Sequence, residues 1–150
     1  MASEAEIQRN LTAAMKARAM EEVYVLRGLV TAIKNLKVDK MVKDLGDAEI
    51  AQLVRKEVNK RTEAIQFARQ GGRHELVDEN ERQKAILERY LPRQLSAPEL
   101  ERAIADLSAE LGTTAIGPLM AKLRERYTGQ FDGQAASAAI RKLGSGSSKT

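Results

Sequence analysis

The chain has 150 residues, 43% of them hydrophobic and 31% charged, with a net charge of +4 and no cysteine. That length accommodates one well-buried core or two small ones, and the residue balance is that of a folded helical domain rather than a disordered tail. Without cysteine there are no disulfides, thiolate metal sites or thiol nucleophiles, and three tyrosines and two phenylalanines are too few for a base-stacking sheet of the RRM kind.

Ser3 followed by Glu6 has capping-box spacing, and Ile7, Leu11 and Met15 then recur at helical intervals, which predicts a first helix ending near Ala19. Val23, Leu26, Val30 and Ile33, widened by Leu29, predict a second and longer helix. The periodicity lapses around 43–47, where Asp47 is a suitable N-cap and Glu49 places negative charge in the first turn of a third helix. Ile50, Leu53, Val54, Val58, Ile65 and Ala68 form its apolar face until Gly71-Gly72 stops it. A fourth, more polar helix runs from about Arg73 through Leu76, Ile86, Leu87 and Tyr90, and Pro92 ends it by restricting Leu91.

Ser96-Ala97-Pro98-Glu99 combines an N-cap serine, an early helical proline and a capping-box glutamate. The helix it starts carries Leu100, Ile104, Leu107 and Leu111 and closes at Gly112. Ile116, Leu119, Met120, Leu123 and Tyr127 predict the next, with Pro118 tolerated in the first turn. After 128–133 a short last helix carries Ala136, Ala139, Ile140 and Leu143. The expected fold is therefore all-α: an N-terminal domain of about four helices over 1–92, a joint at Leu91 to Leu95, and a C-terminal three-helix domain over 96–143. The glycine and serine run at 144–150 has flexible-linker composition.

No apolar run approaches the roughly 20 residues needed to span a bilayer, and Glu4 and Glu6 argue against a transit peptide, so cytoplasmic residence is the expectation. A search for chemistry is short. His74 is the single histidine and stands between Arg73 and Glu75, which suits a surface position more than a general base or metal ligand. Pairs such as Asp78 with Glu81 sit on a polar helix that offers little desolvation to drive their pKa values apart. Neither G-x-S-x-G nor a Walker arrangement is present. No catalytic residue, metal site or cofactor is expected.

The basic residues offer more. Arg55, Lys56, Lys60 and Arg61 predict a ridge on the exposed side of the third helix, and Lys122, Arg124, Arg126, Arg141 and Lys142 a second cluster in the C-terminal domain. Paired cations on a rigid support suit phosphate contact. With Glu57 and Glu63 interspersed, a solvated helix face accounts for the same pattern.

The stretch from Lys56 to Phe67, the turn Gly72-Arg73-His74-Glu75-Leu76 and the segment Tyr90-Leu91-Pro92-Arg93-Gln94-Leu95-Ser96 together resemble the GatB/YqeY family. Gly117 with Met120, and Gly129-Gln130-Phe131-Asp132-Gly133, resemble that family's Gly-x-x-Met and Gly-Arg-Ala-Asp-Gly elements. Pro118 stands where lysine is usual, and Gln130 and Phe131 replace the arginine and alanine. The resemblance implies a C-terminal part similar to the tail of GatB, a subunit of the glutamine-dependent tRNA amidotransferase, where that tail contacts tRNA. It implies an accessory module that binds tRNA or a tRNA-modifying complex, with Lys56, Lys60, Arg61, Arg73, Lys122, Arg126, Arg141 and Lys142 as candidate RNA contacts. A helical protein-interaction adaptor, and an inherited carbon–nitrogen ligase activity with glutamine as amide donor, are the alternatives.

Overall fold

The computed structural model describes residues 2–147, with side chains as far as Ser145. Seven α-helices and no strand occur among the described residues: α1 (Glu4–Lys16), α2 (Met20–Lys40), α3 (Asp47–Gln70), α4 (His74–Glu88), α5 (Ala97–Leu111), α6 (Ile116–Arg126) and α7 (Gly133–Ser147). The chain divides into two compact units, one ending at Pro92 and the other beginning at Arg93.

In the first unit the Ser3 hydroxyl oxygen accepts the Glu6 N–H at 3.2 Å and starts α1, satisfying one of the four donors a helix start leaves open. The helix stops at Lys16, earlier than its apolar pattern suggests, because Arg18 turns left-handed (φ 56°) and the Ala19 N–H reaches back to the Ala14 carbonyl at 3.0 Å. Ile7, Leu11 and Ala14 are the buried face, and Met15, expected on it, is 48% exposed. At 3.6 residues per turn a stripe that passes through positions 7 and 11 continues at 14.

Helix α2 is the centre of the unit and packs against α1, α3 and α4. Its buried residues Val23, Val25, Leu26, Leu29, Val30 and Ile33 cover more than one face, as burial on several sides demands. Ion pairs from Lys37 to Glu4 and from Lys40 to Glu49 tie its second half to α1 and α3. Gly46, not Asp47, is the N-cap of α3, and its N–H donates to Glu49 Oε1 at 3.3 Å. Asp47 keeps its place in the first turn, where the helix dipole favours it. The shared core ends with Ile86, Leu87 and Tyr90, whose hydroxyl accepts a hydrogen bond from Asn10 Nδ2 at 3.0 Å.

In the second unit Ser96 and Glu99 form the expected reciprocal cap: Ser96 Oγ accepts the Glu99 N–H at 3.2 Å and Glu99 Oε1 accepts the Ser96 N–H at 2.9 Å. Gly112 closes α5 at φ 66°, a conformation that costs glycine little and other residues more. The core gathers Leu100, Ile104, Leu107, Leu119, Met120, Leu123 and Ile140, with Leu95, Tyr127, Phe131 and Leu143 packed around it. Leu111 and Ile116, both placed on apolar stripes by their spacing, are 37% and 41% exposed; each sits at a helix end, where the facing helix no longer covers it.

Two of the sequence elements cited above meet here. The Leu95 N–H donates to the Gln130 carbonyl at 2.8 Å, and Gln94 Nε2 donates to the Gly129 carbonyl at 2.8 Å. The segment before α5 is thus bonded to the loop before α7, and Phe131 fills apolar space against the core. Asp132 Oδ2 accepts the Ala135 N–H at 3.3 Å and caps α7. That helix runs to Ser147, past Leu143 and through part of the 144–150 segment read as flexible. A helix already nucleated gains one hydrogen bond per added residue, so a right-handed Gly144 weakens it without ending it. Residues 148–150 lie outside the described residues.

Glu99 supports a pH prediction. The Arg93 guanidinium, then the Ser96 N–H and hydroxyl, hold its carboxyl down at about 2 against an ordinary 4.5. A carboxylate with a depressed folded pKa stabilises the fold above its unfolded value, and that contribution fades as pH falls from 4.5 towards 2. NMR titration of the Glu99 side-chain carboxyl carbon should give a midpoint near 2, and Glu99→Gln should flatten the acid dependence of stability in that window. A midpoint at the ordinary value would show that the pair does not persist in solution.

Candidate nucleic-acid interface

Helix α3 has 24 residues, a length of about 36 Å, yet it contributes to the shared core through its first half alone, by Ile50, Val54 and Val58 with Leu53 packed against them. No residue between Val58 and Ile86 belongs to that cluster. Arg82 Nε donates to Glu21 Oε1 at 2.9 Å, and Arg82 Nη2 to Glu21 Oε2 at 3.3 Å, which fixes α4 to the first turn of α2. Beyond that level, α3 and α4 form a two-helix arm closed by Gly71-Gly72.

The seam of the arm is small and polar. Ile65 and Ala68 are its buried apolar residues on α3, and from α4 it buries Asn80 and Gln83, 7% and 5% exposed. Asn80 Nδ2 donates to the Leu76 carbonyl at 2.9 Å, and Gln83 Nε2 to Glu79 Oε1 at 3.4 Å, so both amides are partly satisfied within α4, as buried polar groups require. Arg61 also belongs to this seam. Its Nε is buried with no acceptor among the described residues, because position 61 continues the stripe through Val54, Val58, Ile65 and Ala68. The exposed ridge expected at Arg55, Lys56, Lys60 and Arg61 is therefore corrected: Arg55 and Arg61 are half-buried, and Lys56 and Lys60 alone stand in solvent.

At the tip the Arg73 N–H bonds the Ala68 carbonyl at 2.8 Å and Gly72 takes φ 69°, a closure that glycine meets without strain. Arg73 and His74 are exposed there, and an open concavity is lined by Gly72, Arg73, His74, Glu75, Leu76 and Glu79. Near it Phe67 is 72% exposed. The ring stands in solvent because Phe67 falls one residue off the buried stripe at Ala68, an offset that is the signal for it in the sequence.

The structure distributes the candidate cations unevenly. Lys60 pairs with Glu57 at 3.2 Å along one helix, whereas Lys56 and Arg73 have no ion pair among the described residues. In the second unit Lys122 pairs with Glu125 at 3.2 Å and Lys142 lies 3.9 Å from Glu101. Arg126 grips Glu110 with two bonds of 2.7 and 2.6 Å; the guanidinium holds the Glu110 carboxyl below its ordinary pKa, and its own pKa is raised in turn. Only Arg141 of the four candidates there has no ion pair among the described residues. Bidentate engagement commits a guanidinium's planar fork to one carboxylate, so this cluster is less available to phosphate than its composition suggests. No group of three or more His, Asp or Glu side chains suited to a metal ion occurs among the described residues.

Comparison with known proteins now decides the family. The model of the YqeY-like proteins matches residues 4–143. The chain belongs to the YqeY-like family. A curated relative is the "Altered inheritance of mitochondria protein 41, mitochondrial" of Lachancea thermotolerans, 29% identical over 111 residues, which are 73% of this chain and 59% of that protein. This YqeY-like chain thus matches little more than half the length of that relative. No helix among its described residues is long and apolar enough to cross a membrane.

Proposed function

We propose that this YqeY-like chain is an accessory module that associates with tRNA, using the α3–α4 arm as its contact element and no active site of its own. The observation that carries the reading is the arm itself: a helical hairpin outside the shared core, with exposed Lys60 on its shaft, exposed Lys56 at its base between the core residues Val54 and Val58, and Arg73 with the 72% exposed Phe67 towards its tip. Cations on a rigid helix meet phosphates, and an exposed aromatic ring beside a guanidinium stacks on an unpaired base. The resemblance of the C-terminal unit to the GatB tail supports tRNA as the class of RNA. Glutamine-dependent carbon–nitrogen ligase activity, in this reading, belongs to a larger complex that the module serves. The cytoplasm is the proposed compartment; the relative's name places that other protein in mitochondria.

The test is the affinity of the full chain for a fluorescein-labelled tRNA transcript between about 50 and 200 mM salt. Affinity should fall steeply with salt. Replacing Lys56 and Lys60 together by alanine should reduce the slope of log K against log salt by about 2, near 0.9 for each phosphate contact, and Phe67→Ala should weaken binding at unchanged slope. Absence of binding at low salt, or affinity indifferent to salt, overturns the proposal. The exposed Phe67 and Leu76 favour a second reading, an adaptor whose partner is a protein. That reading predicts a partner lost with Phe67→Ala and retained in the lysine double variant.

A further inference from the structure

From Val23 to Val38 the chain has no carboxylate, and the outward face of α2 over that span presents Tyr24, Arg27, Gly28, Thr31, Lys34 and Asn35, all exposed. Arg27 and Lys34 lie two turns apart on that face, about 10 Å along the axis, and neither has an ion pair among the described residues. The acids near the start of the helix are drawn elsewhere: Glu21 to Arg82 at 2.9 Å and Glu22 towards Arg89 at 3.8 Å, both on the α4 side. Asp39, the first carboxylate after this span, stands in the last turn, beyond Lys34.

One feature has no explanation inside the chain. Gly28 is in the middle of a 21-residue helix, and a Cβ built there meets nothing within 4 Å. Its missing side chain lowers helix propensity without relieving any contact, whereas it leaves the helix backbone open to close approach from outside. At the corner into α2, Arg18 takes φ 56° where α1 closes and the Ala19 N–H bonds the Ala14 carbonyl. Arg18 is exposed there, with Lys16 beside it, so that further cations stand at the corner leading into the face.

We infer that the outward face of α2 is a second RNA-backbone contact surface, in which Arg27 and Lys34 meet phosphates, Thr31 and Asn35 donate to backbone oxygens, and Gly28 admits the strand closely. The occupant is a polyanion because the face carries positive charge unopposed by any acid of its own span, and a neutral or basic partner would leave Arg27 and Lys34 uncompensated. The identity of the polyanion rests on the tRNA reading above; the surface does not depend on the arm.

The experiment uses the full chain and the same labelled tRNA transcript across the same salt series. Arg27→Ala with Lys34→Ala should reduce the salt slope by about 2, additively with the Lys56 and Lys60 double variant. Gly28→Leu, a better helix former than glycine, should raise thermal stability while lowering affinity about tenfold or more by blocking close approach. Circular dichroism controls for folding, which alanine on an exposed helix face leaves intact. An unchanged slope in the Arg27 and Lys34 variant, alongside a reduced slope in the arm variant, overturns this inference and leaves the arm reading standing. The reverse pattern overturns the arm and supports the α2 face, and a wild-type chain that does not bind overturns both.

Discussion

Leu119→Ala is expected to unfold the C-terminal unit. Leu119 is 0% exposed and sits among Leu100, Ile104, Leu107, Leu123 and Ile140 in the core of that unit. Truncating a buried leucine costs about 2–5 kcal/mol, the lost transfer energy plus the cavity left behind. A small single core supplies only about 3–5 kcal/mol of net stability, so the loss consumes most of what the unit has. Hydrogen exchange followed by mass spectrometry should show amides of α5, α6 and α7 losing protection, while those of α2 keep theirs. Leu111→Ala is the control that the exposure pattern dictates: at 37% exposed it should cost well under 1 kcal/mol, whereas the helical spacing alone ranks it with Leu107. Equal losses for the two variants would contradict the burial described here.

Much of this fold was legible because local and tertiary demands coincide. Ser3, Ser96 and Gly112 are caps whose chemistry acts within one turn, so the sequence reads them correctly and the structure keeps them. Spacing also located the seven helices and the apolar residues at the middle of each. It failed at the ends: Met15 falls one residue past the stripe that continues at Ala14, and Leu111 and Ile116 keep the right period but lose the covering neighbour. The candidate site was harder to read for a related reason. Arg61 looks like the continuation of a basic ridge until the stripe through Val58 and Ile65 is traced, and only the partner helix shows that the stripe passes from apolar core into a polar seam. Arg126 and Glu110 are 16 residues apart on different helices, so nothing in the periodicity announces that one neutralises the other. The α2 face was not singled out in the sequence, and its freedom depends on Arg82 and Arg89 drawing Glu21 and Glu22 towards α4.

The arm provides the second large effect, because its stability is local. Ile65 is 3% exposed and is the largest apolar side chain α3 buries beyond Val58, yet it lies outside the shared core cluster. Around it the seam offers Ala68, Asn80 and Gln83, residues that bury little apolar area or carry groups already costly to desolvate. Ile65→Ala should therefore cost about 2–4 kcal/mol, and the loss should appear as local opening rather than global unfolding, since regions with few apolar contacts open independently of the core. Amides from Arg61 to Lys84 should exchange faster, with Leu26, Leu29 and Ile33 unchanged. The functional consequence separates position from charge. Lys56, Lys60, Arg73 and Phe67 all remain in this variant, so an arm that acts as a rigid support predicts weaker tRNA binding, with the ordering cost of the loosened hairpin transferred to the binding step. Undiminished affinity in a variant whose arm amides have lost protection would mean that the cations act as a flexible charged segment and that the helical geometry of the arm is not what recognises the RNA.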